Sequence, residues 1–369
     1  MNNKFGKGIK VSPGTGLRKI EGVSTSNTLF IGLSKIGALN IPKKITSFEE
    51  FQEIYGDFSE DQLLAYNVEG FFKNEGKLCY VIRVENIGVE EIDKALSNIK
   101  DLEVNLIAIP DSRGSIEIIK EVIEFCENKG DCFYIIESPI GLEPSEIINL
   151  KNINGLNSSF AALYYPNIYI NTPIMEEQLL IHPTGFIAGI YSRNDIRRGV
   201  WKTPAGRDIE IIGATGLELN PSNSELESLN TENINPIKSY QNKILLWGGK
   251  TLEKDTDLKY LATKRLVMFI KKSISKGIQW AIFEPNDERL WTKLRTSIMD
   301  FLTENWRNGA LQGSRPNEAF FVKCDRETNT NKEIKKGKVH IELGIAVSRP
   351  AEFIRIYIET FAGKKKIVE

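Results

Sequence analysis

Few side chains in this sequence have the types and the spacing that catalysis requires. A serine nucleophile needs a base within hydrogen-bond reach and a third group that orients the base. The chain contains two histidines, His182 and His340. His182 is followed by Pro183, and no serine stands nearby in the G-x-S-x-G context of a nucleophile elbow. The sequence therefore argues against a Ser, His, Asp hydrolase, and we predict no catalytic residues.

A phosphate-binding turn and a metal site are the other chemistry to consider. The turn Asp111-Ser112-Arg113-Gly114 follows a predicted strand and precedes a predicted helix, where a phosphate could meet backbone N–H groups. It lacks the glycine spacing of the dinucleotide and P-loop motifs, which favours an ordinary loop. Four cysteines without C-x-x-C spacing are typical of a reduced protein core. We predict no cofactor and no metal.

Alternating apolar strands and amphipathic helices predict how the first two thirds of the chain fold. Between residues 88 and 137 the pattern predicts helices at 90–99 and 115–128 and strands at 105–111 and 132–137. Strands joined in this way by helices form a parallel sheet that is covered on both faces. Further elements are predicted as strands at 28–32, 78–84 and 160–165, and as helices from Ser47, over 61–73 and over 187–197. The segment 220–235 is rich in Asn, Ser and Glu, which predicts a surface crossover.

Two amphipathic helices with a short strand between them are predicted at 258–309. Residues 258–276 place apolar side chains on one helix face and Lys or Arg on another. Residues 278–283 form a short apolar run before Pro285, which predicts a buried strand that ends abruptly. Residues 287–307 are predicted to form the second helix, capped by Asp287 or the asparagine before it and ended by Gly309.

Overall composition indicates neither a nucleic-acid partner nor a membrane protein. The formal net charge is −1, so any electrostatic partnership must be local. No apolar run approaches the roughly 20 residues that a membrane-spanning helix needs. The first residues are polar and glycine-bearing, unlike a secretory signal, so we expect synthesis in the cytoplasm.

Several short sequence motifs in the C-terminal third occur in the order and at the spacing that one known family shows. They are Trp247-Gly248-Gly249-Lys250-Thr251-Leu252, Phe283-Glu284-Pro285-Asn286-Asp287, Leu290-Trp291, Gly309-Ala310-Leu311-Gln312-Gly313, Glu318-Ala319-Phe320-Phe321-Val322 and Arg349-Pro350-Ala351-Glu352-Phe353. Together they resemble the C-terminal domain of contractile tail sheath proteins, which wrap the tube of contractile phages, R-type bacteriocins and related injection particles. Residues 20–26 and 185–206 resemble the family's N-terminal entry and middle domain. The family usually begins Pro-Gly-Val-Tyr-Val, and Lys7-Gly8-Ile9-Lys10-Val11 stands in that place here, which leaves the register of this segment open.

The resemblance implies a fold that combines α/β and α+β parts, with arms that exchange strands. It implies an N-terminal extended arm at 1–20 and an N-terminal α/β part at 21–88. A middle α/β domain, subtilisin-like but without a triad, would follow at 89–235. A C-terminal α+β sheath domain would occupy 236–361, and a C-terminal arm 362–369.

The resemblance also implies a mechanical function without enzymatic activity. Subunits would stack as hexameric rings around an inner tube, and contraction would drive the tube through a target envelope. The implied partners are further copies of this chain, the inner tube protein, baseplate and tail terminator proteins and a sheath-recycling ATPase, with no nucleic acid and no membrane insertion. The subunit would be cytoplasmic in its bacterium and then part of a phage, bacteriocin or injection particle. The alternative is an α/β enzyme, a hydrolase or a nucleotide-binding protein, with an unrecognised site.

The chain ends are predicted to link subunits by strand exchange. Ile9-Lys10-Val11, flanked by glycines, is either an extended arm or a plain leader. Residues 339–347 and 353–361 are predicted to form a hairpin with open edges, which invite another strand. In the resembled family, arms from neighbouring subunits complete such a sheet. The residues implied in exchange are Gly8, Ile9, Lys10, Val11, Ile341, Leu343, Ile345, Phe353, Arg355, Tyr357, Ile367 and Val368.

Exposed charges are the expected means of holding a tube that must later be released. Exposed ion pairs are weak singly, about 0–1 kcal/mol, but numerous in an assembly. For the helix at 258–276 the competing interpretation is an ordinary solvated face. The candidate tube-facing residues are Lys264, Arg265, Lys271, Lys272, Lys276, Trp306, Arg307 and Asn308.

Overall fold

A computed structural model of the protein describes residues 18–174, 176–349 and 351–363. These residues form two compact units. The first unit is Val23–Lys272, and the second gathers the described residues before and after that span. The predicted arm residues Gly8, Ile9, Lys10, Val11, Ile367 and Val368 lie outside the described residues.

The first unit has the predicted α/β character. Its strands are β1 Thr28–Gly32, β2 Lys43–Ile45, β3 Cys79–Arg83, β4 Leu106–Ala108, β5 Phe133–Ile136, β6 Ala161–Tyr165, β7 Ile168–Ile170, β8 Leu179–Ile181, β9 Ala214–Leu217, β10 Ile234–Tyr240 and β11 Lys243–Leu246. Its helices are α1 Phe48–Tyr55, α2 Leu64–Lys73, α3 Val89–Ser97, α4 Ile116–Lys129, α5 Pro144–Ile153, α6 Thr184–Arg198, α7 Asn223–Thr231 and a 3-10 turn at Asp257–Lys259. The boundary between the two units falls within α8, Leu261–Gly277.

An eight-stranded sheet forms the centre of the first unit, in the order β11-β10-β6-β5-β4-β1-β3-β2. The six inner strands are parallel, and β2 and β11 pair antiparallel at the two edges. The strands β8, β7 and β9 form a smaller antiparallel sheet. The predicted parallel sheet is therefore confirmed.

Strand β1 shows why the sheet carries a core on each face. All five of its residues are buried. Phe30 packs into one hydrophobic cluster, whereas Leu29 and Ile31 pack into another. Successive side chains of a strand point to opposite faces, so a strand covered on both sides must be apolar throughout.

The second unit combines helices with a three-stranded antiparallel sheet in the order β12-β13-β14. Its elements are a 3-10 helix Gln279–Phe283, α9 Glu288–Arg307, α10 Pro316–Ala319, β12 Phe320–Lys323, α11 Asn331–Lys335, β13 Lys338–Ala346 and β14 Phe353–Phe361. The predicted hairpin at the C-terminal end is confirmed as β13 and β14. Across the described parts of both units, no helix combines the length and the apolar character needed to cross a membrane.

The predicted helix ends are confirmed at two capped helices. The Ser47 hydroxyl accepts from the Glu50 backbone N–H at 3.2 Å at the start of α1. The Asp287 carboxylate accepts from two backbone N–H groups, both at 3.0 Å, at the start of α9. Gly309 follows α9 with φ of 81°, in the left-handed region that favours glycine. These caps satisfy backbone donors and acceptors that a helix leaves open at its ends.

The predicted strand at 278–283 is wrong, because these residues form a 3-10 helix. The backbone N–H of Ala281 donates to Ile278 at 3.0 Å, and that of Glu284 donates to Ala281 at 3.1 Å. Trp280 is buried, whereas Phe283 is 81% exposed. A short apolar run does not distinguish a strand from a helical turn, and Pro285 ends either one.

The predicted surface crossover at 220–235 is also wrong. Residues Asn223–Thr231 form α7, and β10 then enters the central sheet beside β6. Ser222 and Glu225 form a reciprocal capping box at the start of α7. The buried amide of Asn235 donates to Leu163 O at 3.1 Å and fixes this strand. The Ser222-x-x-Glu225 spacing is the signal of a helix start that the polar composition obscured.

The predicted segments 21–88 and 89–235 contribute to one sheet. The strands β1, β2 and β3 of the first segment lie in the same sheet as β4, β5 and β6 of the second. Strand β11, from the predicted segment 236–361, pairs with β10 at the far edge. The backbone hydrogen bonds of the sheet thus join all three segments, and the C-terminal part of the second compact unit starts at Ser273.

Candidate assembly surfaces

Strand β13 is the centre of the C-terminal sheet. It pairs with β14 from Lys338 opposite Phe361 to Ala346 opposite Phe353, and with β12 from Glu342 to Ile345. Beyond the end of β12, the side-chain amide of Asn329 forms the hydrogen bonds on this side of β13. It accepts from His340 N at 2.7 Å and donates to His340 O at 3.1 Å. Both backbone edges of β13 are therefore occupied.

This pairing corrects the expectation that both hairpin strands have open edges. The strand-exchange candidates Ile341, Leu343 and Ile345 lie on β13, and their side chains are at most 1% exposed. The backbone N–H and C=O of His340 bond to Asn329 and therefore point away from β14. Backbone groups alternate in direction along an antiparallel strand, so those of Ile341, Leu343 and Ile345 point toward β14. They hold the hairpin together and are not available to an incoming strand.

Strand β14 has the open backbone edge of the hairpin. Since Glu359 lies opposite His340, its backbone N–H and C=O point outward, and the alternation of an antiparallel ladder extends this to Arg355 and Tyr357. Within the described residues β14 pairs with β13 alone. The candidates Arg355 and Tyr357 are thus placed where an added strand could bond.

The same strand displays a mixed polar and aromatic face. Tyr357 is 66% exposed, and the Arg355 guanidinium contacts the Glu342 carboxylate on β13. The rings of Phe353 and Phe321 meet edge to face at 5.2 Å. Phe321 lies opposite Gly344, and any Cβ there would stand 2.2 Å from its ring. Glycine is therefore required for the ring to cross β13 and reach Phe353.

The first described residues of the chain lie against α9. Lys19 forms an ion pair with Glu304 at 3.3 Å, and Ile20 is 2% exposed. A Cβ on Gly277 would come within 2.8 Å of Ile20, so this glycine admits the segment. Lys19 and Ile20 therefore belong to the second unit and lie at the side of α9.

Two of the predicted tube-facing residues are buried, which corrects the interpretation of α8 as a basic solvated face. Lys264 and Arg265 are each 4% exposed. The Lys264 amine lies 3.1 Å from the centroid of the Phe160 ring, and burial lowers its pKa to about 7. Arg265 forms a two-contact ion pair with Asp195 on α6, at 2.8 and 2.6 Å. Neither side chain is available to a tube.

The remaining candidates on α8 are of two kinds. Lys271 and Lys276 are exposed. Lys272 is partly exposed and contacts the Asp131 carboxylate, which also pairs with Lys129 at 3.0 Å. Two of these three lysines, Lys271 and Lys272, lie in the first unit, and Lys271 is the more exposed of the two.

The end of α9 presents the other predicted tube-facing group. Arg307 and Asn308 are exposed, whereas Trp306 is half-buried and donates from Nε1 to Gly313 O at 2.9 Å. The indole therefore fixes the turn after α9, and the two residues after it are the accessible ones.

The turn after β4 is occupied by protein groups. Asp111 accepts from the backbone N–H of Leu63 at 2.8 Å and of Leu33 at 2.9 Å. The Ser112 hydroxyl and the Arg113 N–H both donate to Glu137 at 2.9 Å. Burial, followed by the charge of Asp111, raises the pKa of Glu137 well above its usual value. A phosphate would have to displace this buried carboxyl, so the geometry is that of a structural loop.

His182 is a core residue that follows β8. Its Nδ1 lies 2.8 Å from the Asn167 amide oxygen, which also accepts from Ser138 Oγ at 3.2 Å. Burial, with a smaller contribution from Arg113, lowers the pKa of His182 to about 4. In the part of the chain that the structure describes, no serine hydroxyl bonds to His182, so the arrangement supplies a neutral imidazole without a nucleophile.

Sequence patterns missed the buried charged residues and the open edge for different reasons. The partner of Arg265 is 70 residues away, so no local spacing could reveal it. The central position of β13 depends on β12, a four-residue strand without a clear alternating pattern. The side chain of Asn329 extends that pairing, and asparagine in a loop usually indicates only a turn.

Two sequence models of one family match the chain. The model described as "Phage tail sheath protein central domain" matches residues 85–252, and that described as "Phage tail sheath C-terminal domain" matches residues 253–361. The tail sheath protein of Vibrio phage KVP40 is 25% identical over 175 residues, which are 47% of this chain and 25% of that protein. The match thus spans about a quarter of that relative.

Solved structures share the fold over nearly the whole chain. The sheath complex of an extracellular contractile injection system, PVC, in its contracted state has a TM-score of 0.79 at 23% identity, covering 100% of this chain and 99% of that one. The helical sheath of the anti-feeding prophage in its contracted state has a TM-score of 0.76 at 25% identity, covering 95% and 98%. The predicted family and the mixed α/β fold are confirmed.

Proposed function

Because this chain belongs to the phage tail sheath family, we propose that it is the structural subunit of a contractile sheath. In this proposal subunits stack as hexameric rings around an inner tube, and contraction drives the tube through a target envelope. The two structures of like fold are both contracted sheaths, one of them at 25% identity. The open edge of β14 is the observation on this chain that carries the proposal.

An open strand edge suits a lattice whose subunits must move and stay joined. A strand added to β14 would bond through the backbone groups of Arg355, Tyr357 and Glu359. Backbone bonds depend little on side chains, so the contact persists while subunits rotate about flexible connections. We propose that residues 8–11 of one neighbour and residues 362–369 of another supply the added strands.

The proposed mechanism stores energy in contacts between subunits. The turn at Asp111 has its donors and acceptors bonded to protein groups, and His182 lacks a nucleophile, so neither feature favours an enzyme. The named relative is a tail sheath protein, which is a structural component. We propose an extended state of high free energy whose release drives contraction.

The proposed partners follow from the same architecture. They are further copies of this chain, the inner tube protein, baseplate and tail terminator proteins, and an ATPase that recycles contracted sheath. The subunit would be made in the bacterial cytoplasm and leave as part of a phage, a bacteriocin or an extracellular injection particle.

Electron microscopy of the purified full-length protein, alone and with its tube protein, tests the function. We expect long hollow cylinders, and with tube protein both extended and contracted forms. Removing residues 1–18 should leave a folded subunit with an unchanged thermal midpoint that forms no cylinders. Monodisperse particles under every condition would instead favour the α/β enzyme.

A proline scan of β14 tests the open edge itself. Tyr357→Pro removes an outward N–H and leaves the bonds to β13 in place, and proline is tolerated where an edge N–H faces solvent. We expect a folded subunit that no longer polymerises. Tyr357→Thr changes the same side chain but keeps the N–H, so it should still build cylinders.

Glu359→Pro repeats the test at a second outward position. Ile358→Pro is the folding control, because its N–H faces β13 and its loss should lower the thermal midpoint. Cylinders of normal length from both Tyr357→Pro and Glu359→Pro would mean that no strand adds to β14.

A further inference from the structure

A loop at one end of the central sheet exposes three aliphatic side chains close together in sequence. Ile36, Leu39 and Ile41 are 51%, 42% and 50% exposed. They lie in residues 33–42, which leave β1 and lead to the edge strand β2; we call this segment the apolar loop. Grouped exposed aliphatic residues mark interaction sites more often than single ones do.

Hydrogen bonds hold the apolar loop in place. Arg83 donates to Ser34 O and to Gly37 O, both at 2.7 Å. Asn40 N donates to Arg83 O at 2.9 Å, and the Asn98 amide donates to Asn40 O at 2.8 Å. The loop is therefore ordered before any partner arrives, so docking would cost little conformational entropy.

Lysines surround the apolar loop. Lys35, Lys43 and Lys44 are exposed, and no acidic residue occurs between positions 33 and 48. None of the three forms an ion pair within the described part of the chain. Glu91 on α3 also contacts the loop, since it accepts from the Asn40 amide at 3.2 Å, but its charge is paired with Lys94. A partner that combines an apolar group with negative charge would therefore complement the three exposed lysines.

The same unit carries a surface of that kind after β5. Ile140 is 47% exposed, and it is followed by the exposed carboxylates Glu143 and Glu146. Glu218 accepts from Gly141 N at 2.5 Å, and Tyr165 donates to Leu142 O at 2.7 Å, so this turn is also fixed. We call residues 138–146 with Glu218 the acidic turn. The pKa of Tyr165 is raised by burial and then by four nearby glutamates, which include Glu143 and Glu146. Negative charge is therefore concentrated around the acidic turn.

The two surfaces are fixed at different strands of one copy. The apolar loop leaves β1 and the acidic turn follows β5, and these strands are two spacings apart, or roughly 10 Å at about 4.8 Å per spacing. Each surface is held by its own hydrogen bonds, the loop by Arg83 and Asn98 and the turn by Tyr165 and Glu218. Complementary patches at different places on one chain form contacts between unlike surfaces, which continue from copy to copy as rings or helices.

We infer that the apolar loop of one subunit docks on the acidic turn of a second copy of this chain. Ile36, Leu39 and Ile41 would cover Ile140, and the lysines would face Glu143 and Glu146. This contact rests on the proposed function. It would be a second link between subunits, formed by the first unit, in addition to strand exchange at β14. It would be weakened by salt, since its charged rim is exposed.

Disulfide cross-linking of assembled sheaths tests the contact. Ile36→Cys and Ile140→Cys are combined in one chain, whose four natural cysteines are all buried. Oxidation of sheaths, extended or contracted, should give a ladder of linked subunits on a non-reducing gel. Ile36→Cys with Ile153→Cys is the matched control, because Ile153 is 75% exposed but outside the acidic turn. We expect no ladder from the control.

Thiol labelling identifies the occupant. Ile36→Cys should react with maleimide in the unassembled subunit and be protected at least tenfold in the sheath. Protection already in the unassembled subunit would mean that this chain covers its own loop, which overturns the inference. Cylinders without a ladder, or an equal ladder from the control, overturn it while leaving the sheath function standing. Failure of the wild-type chain to build cylinders under any condition would overturn the sheath function and this contact with it.

Charge reversal supplies an independent readout. Lys43→Glu with Lys44→Glu should reduce sheath yield several-fold, and Glu143→Lys with Glu146→Lys in the same chain should restore part of it. Lys77→Glu with Lys100→Glu is the control, since both lysines are exposed and lie outside the two surfaces. Unchanged yield from the Lys43 and Lys44 reversal would contradict the charged part of the contact.

Discussion

Arg265 on α8 and Asp195 on α6 form a buried ion pair with two N–O contacts, 2.8 and 2.6 Å long. Their side chains are 3% and 6% exposed. Arg265 also donates to Thr25 O at 3.0 Å, and Thr25 donates from its hydroxyl to Asp195 at 2.5 Å. The guanidinium lies 4.6 Å from the centroid of the Tyr191 ring. One charge pair thus joins the start of the first unit to two of its helices.

Breaking this pair should destabilise the first unit strongly. Arg265→Met leaves the Asp195 carboxylate buried without its partner, which typically costs about 3–5 kcal/mol. Asp195→Asn should cost a similar amount, and the double variant less than the sum, because it leaves no isolated charge. Urea unfolding at neutral pH measures all three. Lys271→Met on the exposed side of the same helix is the control, expected within about 0.5 kcal/mol of wild type. Single variants no less stable than this control would contradict the role of the pair.

Lys264 should make the stability of the first unit depend on pH. Burial lowers its pKa to about 7 in the folded chain, below its ordinary value of 10.5. Between pH 7 and 10.5 the unfolded chain binds more protons at this lysine than the folded chain does. The free energy of unfolding should therefore rise with pH, by at most about 1.4 kcal/mol per pH unit. Lys264→Met should remove that slope and be more stable than wild type near pH 7. Unfolding at pH 7.0 and 8.5 measures the difference, and parallel curves for the two proteins would contradict it.

Regular patterns predicted the elements of this protein well where local sequence decides them. The caps at Ser47 and Asp287, the apolar strand β1 and the final hairpin follow from spacing and side-chain chemistry alone. The strand predicted at 278–283 was wrong, because the conformation of a short apolar run depends on whether a partner strand is present. The composition of 220–235 suggested a loop, although Leu226 and Leu229 are both buried.

The sites were harder to predict than the elements. Lys264 and Arg265 have the same local pattern as the exposed Lys271, and only tertiary neighbours distinguish them. Phe160 and Asp195 come from distant segments, so burial of these two charges is a property of the fold. The sequence predicted a hairpin with open edges. It could not show that β12 covers β13, which leaves the open edge on β14.

Glu137 should give the opposite pH dependence. Burial raises its pKa, so the folded chain keeps a proton that the unfolded chain releases above about pH 4.5. Stability attributable to this group therefore falls as pH rises. Glu137→Gln keeps an oxygen that can accept from Ser112 and Arg113 but cannot ionise, so its stability relative to wild type should increase from pH 5 to pH 8. Glu124→Gln, at an exposed position on α4, is the control and should show no such trend. A constant difference across the range would mean that Glu137 is ionised in the folded chain.

The exposed cations Lys271 and Arg307 provide a direct test of tube binding. Each is accessible, whereas Lys264 and Arg265 are buried and Lys272 contacts Asp131. An exposed pair is worth about 0–1 kcal/mol, but the same contact repeated in every subunit adds along the sheath. Lys271→Glu and Arg307→Glu, made separately, should each shift particles toward tube-free or contracted sheaths, counted by electron microscopy after co-expression with the tube protein. Lys332→Glu, an exposed lysine on α11, is the matched control and should give extended particles at wild-type yield. Normal extended particles from either variant would remove that residue from the tube contact and leave it as an ordinary solvated side chain.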